Sequence, residues 1–227
     1  MTHNIHTKLI RWYHQHGRHD LPWQKNQTPY RVWLSEIMLQ QTQVKTAIPY
    51  YRRFTKALPN LKQLAQAEQD DVLSLWSGLG YYARARNLHA TAQIIATDYH
   101  GRFPSTVDEL CKLPGIGRST AGAILSFSKN IPAVILDGNV KRILCRLHRI
   151  DSSPYQAHTL KKLWNIAEEL TPEKQIKAYN QAVMDIGATV CTRTKPQCSR
   201  CPIKNDCESF QHSTQHLYPV KKNKVKK

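Results

Sequence analysis

The stretch Leu113-Pro-Gly-Ile-Gly-Arg-Ser-Thr-Ala-Gly-Ala-Ile-Leu125 lies between two segments whose apolar residues recur at helical spacing. Gly115 and Gly117 permit a tight turn that leaves backbone N–H groups bare where the next helix begins, and such a helix start binds phosphate. A lone Gly-x-Gly is weak evidence, because turns between helices use glycine routinely. Together with the residues that flank it and the basic charge of the chain, the motif predicts a helix–hairpin–helix element that grips one DNA strand.

The charge of the chain also points to a polyanion. The 227 residues include 33 Lys and Arg against 16 Asp and Glu, a net charge of +17, which would repel itself without an anionic partner. Nucleic acid is the first candidate and an anionic membrane surface the second. No apolar run approaches the ~20 residues of a membrane span, and the N-terminus lacks a signal-peptide core. We therefore expect an intracellular protein, cytoplasmic and nucleoid-associated if bacterial, with no membrane partner. We also expect it to be a monomer.

Apolar residues at three- and four-residue spacing predict an all-α fold. Thr28-Pro29 is typical of a helix start, and Ser105-Thr106-Val107-Asp108 is typical of a capping box. Pro132–Leu136 is the one strand-like run, too isolated to build a sheet. The predicted helices cover residues 4–16, 28–41, 43–57, 61–78, 81–99, 105–112, 118–128, 139–150, 157–170 and 173–188.

Four cysteines, Cys191, Cys198, Cys201 and Cys207, form the spacing C-x6-C-x2-C-x5-C. In a reducing compartment such crowding indicates a metal centre before disulfides. Zinc usually takes two tight pairs, whereas wider and unequal loops suit the corners of a [4Fe-4S] cluster. The spacing favours the cluster modestly and leaves zinc open. The other two, Cys111 and Cys145, lie in apolar helical patterns and are interpreted as buried packing residues.

Two carboxylates have contrasting surroundings. Glu36 stands in a nearly unbroken apolar run, either on the wet stripe of its helix or in a dry pocket that would suit a general acid. Asp137 ends the strand-like run and precedes a helix, so it is either a plain N-cap or an anion facing a developing positive charge. Two carboxyl groups whose surroundings push their pKa values apart, one acting as an acid and the other as an anion, are typical of enzymes that cleave a glycosidic bond.

Three of these features, the hairpin, Asp137 and the cysteine loop, together resemble the endonuclease III superfamily of base-excision DNA glycosylases. The resemblance covers essentially the whole chain and is most specific for the MutY-type branch, the adenine DNA glycosylases. The segments that carry this closer resemblance are Leu21-Pro-Trp-Gln24, Trp33-Leu-Ser-Glu-Ile-Met-Leu-Gln-Gln-Thr-Gln43, Gly78-Leu-Gly-Tyr-Tyr-Ala-Arg-Ala-Arg-Asn-Leu88 and Val134-Ile-Leu-Asp-Gly-Asn-Val-Lys-Arg142.

The resemblance implies a hydrolase for base-excision repair. It would bind duplex DNA in a cleft between two helical lobes and release adenine mispaired with 8-oxoguanine or guanine. Glu36 would protonate the flipped adenine and later activate water. Asp137, supported by Asn139, would stabilise the oxocarbenium-like sugar. The resemblance also implies one [4Fe-4S] cluster per chain on the four cysteines.

Further site residues follow from the same resemblance. Gln40, Gln41 and Tyr81 match residues that wedge into the base stack around the lesion. Leu21, Trp23, Gln24 and Gln181 match the lining of the adenine pocket. For Tyr81 and Trp23, core packing is the competing interpretation. The expected DNA contacts also include Gly115, Gly117, Arg118, Ser119 and Lys141.

Ser119 discriminates between branches, because bifunctional relatives carry a lysine there that forms a Schiff base, and serine cannot. We therefore expect base removal without strand cleavage. Lys141 is interpreted as a phosphate contact, with an adventitious Schiff base as the alternative. Two other functions stay open: an endonuclease III-like glycosylase and lyase for oxidised pyrimidines, and a non-catalytic DNA-binding protein.

The expected domain organisation is a catalytic domain over 1–218 made of two lobes. The central six-helix lobe with the hairpin covers 28–136, and the second lobe combines 1–27 with 137–218 and contains the cluster loop 191–207. Residues 219–227 would form a disordered basic tail. We expect the second, lesion-recognition domain that MutY-type proteins usually carry to be absent.

Overall fold

The computed structural model describes the backbone of residues 2–221 and the side chains of residues 4–221. Within these residues the secondary structure is helical and contains no strand, which confirms the all-α prediction. No helix in this part of the chain is long and apolar enough to cross a membrane. The α-helices are α1 (Thr2–His16), α2 (Pro29–Leu39), α3 (Val44–Ala57), α4 (Leu61–Gln66), α5 (Gln69–Trp76), α6 (Ala83–Thr97), α7 (Val107–Cys111), α8 (Arg118–Lys129), α9 (Gly138–Leu147), α10 (Ala157–Glu169), α11 (Ile176–Thr189) and α12 (Glu208–Gln211).

Three local predictions were wrong: the extent of one helix, the start of another and the burial of one cysteine. The helix predicted over 61–78 is two helices, because Ala67 and Glu68 have extended backbone angles, with ψ of 152° and 145°. The helix predicted from Ser105 is capped one residue later, by the Thr106 hydroxyl, which accepts from Glu109 N–H at 3.3 Å. Cys111 is exposed rather than buried, whereas Cys145 is buried as expected.

The chain divides into two compact units, here called the central unit (His19–Ala133) and the terminal unit (Met1–Arg18 with Val134–Lys227). These boundaries lie at 18/19 and 133/134, whereas the sequence pattern suggested 27/28 and 136/137. In the central unit, α2 packs against α8 and α3, and α4 packs against α6. Its core is rich in aromatic rings: Trp33 meets Phe103 edge-on at 5.5 Å, and Phe54 meets Trp76 at 6.2 Å between ring centroids.

The terminal unit is built around α11, which packs against α1 and α9. Apolar side chains from these three helices, such as Leu9, Leu144 and Ile186, form a core of its own. The chain after α12 returns to this core, where Tyr218 is buried and Val220 packs against it. Of the predicted disordered tail over 219–227, residues 222–227 lie outside the described residues.

Candidate functional site

The predicted hairpin occupies the turn between α7 and α8. Gly115 has φ +77°, in the left-handed region that glycine tolerates best, and a Cβ built there would stand 3.0 Å from the Asn87 Cβ atom. The Thr91 hydroxyl of α6 donates to the Pro114 carbonyl at 2.8 Å. Gly117 is the N-cap of α8 and has no heavy atom within 4 Å of where its Cβ would lie. The hairpin is therefore held against α6 by the Pro114 hydrogen bond and the close approach of Gly115 to Asn87, while the space around Gly117 is free.

The first turn of α8 carries Ser119, the residue that distinguishes the expected base removal from strand cleavage. Arg118 is exposed and Ser119 is half-buried, while the helix from Thr120 to Phe127 is buried throughout. The helix start thus presents an arginine and backbone N–H groups outward, an arrangement suited to a phosphate. Position 119 supplies a hydroxyl and no amine.

Glu36 lies on α2, a helix with no fully exposed side chain between Pro29 and Leu39. Its neighbours Ser35 and Ile37 are buried, and Glu36 itself is half-buried. The surroundings of Glu36 are therefore intermediate between the two interpretations of the sequence. The side chain is neither on a fully solvent-exposed face of the helix nor completely buried. Glu36 belongs to the central unit and Asp137 to the terminal unit.

Asp137 is the N-cap of α9, the position that both of its interpretations required. Its Oδ1 accepts from Val140 N–H at 2.8 Å, and its Oδ2 accepts from the Asn139 amide at 3.1 Å. A helix N-terminus favours negative charge at this position. The structure thus brings two of the predicted site residues, Asp137 and Asn139, into direct contact.

Asn139 is held from two further sides. Arg142 Nη2 donates to Asn139 Oδ1 at 2.8 Å and to the Gly187 carbonyl at 2.6 Å. Gly187 must lack a side chain, because a Cβ there would lie 2.5 Å from the Asn139 Cβ. Arg142 Nε also donates to the Cys191 carbonyl at 2.8 Å. The Asp137 side chain is therefore connected by hydrogen bonds to the cysteine loop.

Lys141 follows Asp137 by one turn of α9. Its ammonium lies 5.6 Å from the centroid of the Tyr155 ring, and that ring is 68% exposed. A cation over an aromatic face is attracted by the ring quadrupole. This pair gives the terminal unit a half-buried cation beside an exposed aromatic ring.

The three predicted wedge residues lie on two loops of the central unit. Gln41 is exposed and lies two residues after the end of α2, while Tyr81 lies two residues before the start of α6 and is 62% exposed. The core-packing interpretation of Tyr81 is therefore wrong. Both residues have positive φ angles, 56° and 51°. Gln40 between Leu39 and Gln41 is half-buried, and its carbonyl accepts from Arg84 at 2.6 Å.

The segment Leu21-Pro-Trp-Gln24 folds into a short 3-10 turn. Leu21 N–H donates to Gln24 Oε1 at 3.1 Å, and Gln24 N–H donates to the Leu21 carbonyl at 2.9 Å. Trp23 is buried and meets the Tyr51 ring edge-on at 5.6 Å. Core packing, the competing interpretation, therefore describes Trp23 correctly.

Gln181, the fourth residue of the predicted adenine pocket, is buried on α11. Its amide nitrogen donates to Asp185 Oδ1 at 2.9 Å. Asp185 is fully buried, and Arg18 donates to it from its backbone N–H, Nε and Nη2. The donor end of the Gln181 amide is thereby fixed.

The four cysteines of the loop line one cavity, together with Ile143, Arg146 and Phe210. Among the described residues, no three His, Cys, Asp or Glu side chains converge as ligands of a single metal ion. Arg146 is buried, and its Nη1 donates to Cys191 Sγ at 3.2 Å. Burial raises the pKa of the Cys201 thiol to about 12, with the neighbouring cysteines adding to the rise. Four soft sulfur donors around one cavity, beside a buried guanidinium, fit a group that carries positive charge and stabilises thiolates.

Two arginines of these sites were not predicted from the sequence. Arg142 lies three residues after Asn139 and therefore on the same face of α9, a spacing that could have revealed it. Arg84 binds both wedge loops, but nothing in the pattern Tyr-Tyr-Ala-Arg-Ala-Arg distinguishes it from Arg86. Only the structure separates the two, because Arg84 is half-buried and hydrogen-bonded to both loops whereas Arg86 is exposed.

Comparison with known sequences gives long agreement. Residues 34–169 match the family described as "HhH-GPD superfamily base excision DNA repair protein". The chain is 52% identical over 97% of its length to a protein of Buchnera aphidicola (subsp. Acyrthosiphon pisum), and 42% identical over 90% to one of Mus musculus. Both relatives are named adenine DNA glycosylase. The chain spans 63% of the Buchnera protein and 41% of the mouse protein.

Comparison with solved structures shows the same fold. The chain is similar to a thermostable thymine-DNA glycosylase, with a TM-score of 0.84 at 24% identity over 93% of this chain and 97% of that one. It is also similar to endonuclease III in a non-covalent DNA complex, with a TM-score of 0.74 at 20% identity over 95% and 99% of the two chains. From the family match across most of the chain and the high identity to these relatives, the chain belongs to the HhH-GPD superfamily of base excision DNA repair proteins.

Proposed function

We propose that this protein is a monofunctional adenine DNA glycosylase, which hydrolyses the N-glycosidic bond of adenine mispaired with 8-oxoguanine or guanine. The observation that carries the proposal is the 52% identity, over 97% of the chain, to a relative named for this activity. The proposal is also supported by the kinds of carboxyl group present, since Asp137 lies at a helix N-terminus and Glu36 is half-buried on an apolar helix, and glycosidic cleavage uses two carboxyl groups with different surroundings.

In this proposal the two carboxylates have different roles. Glu36, as the acid, donates a proton to the departing adenine, and the C–N bond breaks with its electron pair going to the base. Asp137, as the anion, faces the positive charge that develops on the sugar. Water then adds to the sugar and gives its proton to Glu36, which restores the acid. Asn139 keeps the Asp137 carboxylate oriented through the 3.1 Å hydrogen bond.

The cysteine loop would hold a [4Fe-4S] cluster through Cys191, Cys198, Cys201 and Cys207, with zinc as the alternative. When bound, the cluster supplies four iron–thiolate bonds that brace the loop. Arg146 would offset thiolate charge at Cys191. The exposed basic residues of this loop, Arg193, Lys195 and Arg200, would then be held as a phosphate-contacting surface.

Duplex DNA is the proposed partner, and the enzyme would act as an intracellular monomer. The open N-terminus of α8 at Gly117 and Arg118 would bind one backbone phosphate, and Lys141 another. Ser119 leaves no amine at the hairpin for a Schiff base, so base removal would proceed without strand cleavage.

Single-turnover assays test the proposal directly. The purified protein, loaded with its cluster, is incubated with duplexes that carry A opposite 8-oxoguanine, A opposite G, or thymine glycol. We expect alkali to cut only the adenine strands, and borohydride to trap no covalent complex. Trapping on thymine-glycol DNA would support the lyase alternative instead. Tight DNA binding without release of any base, unchanged by Glu36→Gln, would identify a non-catalytic protein.

A further inference from the structure

One half-buried side chain of the central unit, Arg84, binds both loops that carry the wedge residues. It stands on the first turn of α6, and its guanidinium reaches the end of α2, the residues after it, and the loop before α6. Its donors Nη1 and Nη2 make six hydrogen bonds: Nη1 to the carbonyls of Ile37 (2.9 Å), Met38 (3.0 Å) and Gln40 (2.6 Å), and Nη2 to Thr42 Oγ1 (3.2 Å) and to the carbonyls of Leu79 (3.4 Å) and Gly80 (3.1 Å).

The chemistry of these contacts requires arginine. The last carbonyls of a helix lack partners within it, and a cation there is favoured by the helix dipole. A guanidinium has a rigid planar fork of donors, so one group can bind the end of α2 through Nη1 and the second loop through Nη2. Its carbon Cζ also lies 5.4 Å from the centroid of the Trp76 ring and 5.5 Å from that of Tyr81. Lysine has a single nitrogen and could not bind both loops in this way.

The loops that Arg84 joins share an uncommon backbone conformation. Gln41 and Tyr81 both have φ between 50° and 60°, in the left-handed region that non-glycine residues rarely adopt. Gly78 and Gly80 already supply positive φ beside Tyr81, so the turn itself does not need a tyrosine there. An aromatic side chain that is 62% exposed gains little from core packing. Strained non-glycine residues of this kind cluster at functional sites.

We propose that Arg84 is a positioning residue that holds the 40–42 loop and the 79–81 loop in one rigid arrangement, so that Gln41 and Tyr81 enter the DNA base stack together. The inference rests on the proposed function, since it assigns these loops a part in opening the duplex. Each loop alone would lose its conformation once Arg84 is removed, because the same guanidinium binds both. Arg84 touches no reacting atom in this scheme.

The test compares Arg84→Lys and Arg84→Met with Arg86→Met. Arg86 lies on the same helix and is exposed, so its variant controls for the loss of one positive charge near DNA. Cluster-loaded proteins are mixed at saturating concentration with a duplex that contains A opposite 8-oxoguanine and 2-aminopurine next to it. The 2-aminopurine fluorescence rises when the base stack is opened, whether or not a base is released.

We expect the parent protein and Arg86→Met to raise the fluorescence, and both Arg84 variants to raise it far less. The single-turnover rate of the Arg84 variants should fall by about 100-fold, as for a misplaced reacting group, with affinity for undamaged duplex nearly unchanged. Arg84→Lys keeps a cation at this half-buried position, so it tests the inference even if Arg84→Met fails to fold. Parent-like fluorescence and rate in folded Arg84→Lys would overturn the inference.

The outcomes separate the inference from the proposed function. A parent protein that opens the duplex but releases no adenine would refute the glycosylase proposal and leave the role of Arg84 intact. A parent protein that releases adenine without raising the fluorescence would refute the role of these loops and leave the glycosylase intact.

Discussion

Arg18 binds the fully buried carboxylate of Asp185 through three donors, the backbone N–H at 2.7 Å, Nε at 2.9 Å and Nη2 at 2.6 Å. The same carboxylate accepts from the Gln181 amide at 2.9 Å. One ion pair thus joins the end of the first segment of the terminal unit to α11 and orients a residue of the proposed adenine pocket.

Replacing Arg18 by Met should lower the free energy of unfolding by about 3 kcal/mol, because it leaves the Asp185 charge buried and without its cationic partner. Urea denaturation followed by circular dichroism measures the loss. Arg11→Met is the matched control, since Arg11 is exposed on the same segment. Equal stabilities of the two variants would contradict this account of the ion pair.

The two hairpin glycines should differ in their effect on stability. Gly115→Ala should cost about 1 kcal/mol, because alanine disfavours the left-handed backbone and its Cβ would crowd Asn87. Gly117→Ala has free space and an ordinary φ of −94° and loses only the preference of an N-cap for glycine over alanine, so it should add no backbone strain or clash to that cost. Both should weaken duplex binding in anisotropy titrations, since both crowd the proposed phosphate site. Parent-like affinity for Gly117→Ala would exclude its backbone as a phosphate contact.

Gly187→Ala should slow adenine release more than it changes DNA affinity. Its Cβ would overlap Asn139 and push that amide away from Asp137. We expect a loss of at least about tenfold in the single-turnover rate, since misplacement of a catalytic group by about 1 Å costs up to about 100-fold. Ala188→Ser, exposed at the next position, is the control. An unchanged rate in a folded Gly187→Ala protein would argue against a catalytic role for Asn139.

Stability should depend on pH through His148. Burial lowers the pKa of this imidazole, and its Nε2 has no hydrogen-bond partner among the described residues. The unfolded chain therefore takes up the proton first, and the stability that the neutral imidazole contributes is present above about pH 6.5 and is lost as the pH falls below it. Urea unfolding between about pH 7.5 and 5.5 should show a smaller decline for His148→Gln than for the parent protein. The same decline in both would rule out His148 as its source, with the exposed His212 as the control site.

Duplex affinity should fall steeply with salt, because bound phosphates release their counterions. For a protein that contacts several phosphates we expect roughly a 1,000-fold loss between about 50 and 200 mM salt. Anisotropy titrations on an undamaged duplex give the slope directly. A flat dependence would mean that the charge of +17 serves something other than DNA binding.

Local patterns were sufficient to predict most helices, the N-caps Thr28 and Asp137, the hairpin turn and the grouping of the four cysteines. Each of these depends on residues that are close along the chain, through side-chain periodicity, a capping hydrogen bond or the backbone freedom of glycine. The roles of the site residues remain predictions. The resemblance of several long segments to known relatives identified the family more specifically than any single motif did.

Other features depended on contacts between distant segments and could not be predicted from local patterns. The break at Ala67, the exposure of Tyr81 and Cys111, and the burial of Trp23 follow from what packs against each residue in space. Arg84 and Arg86 are equivalent by local pattern, yet one is enclosed by α2 and the two loops while the other faces solvent. Burial and shared hydrogen-bond partners arise only when segments 40 or more residues apart meet, as Arg84 and the end of α2 do across |i−j| = 44 to 47.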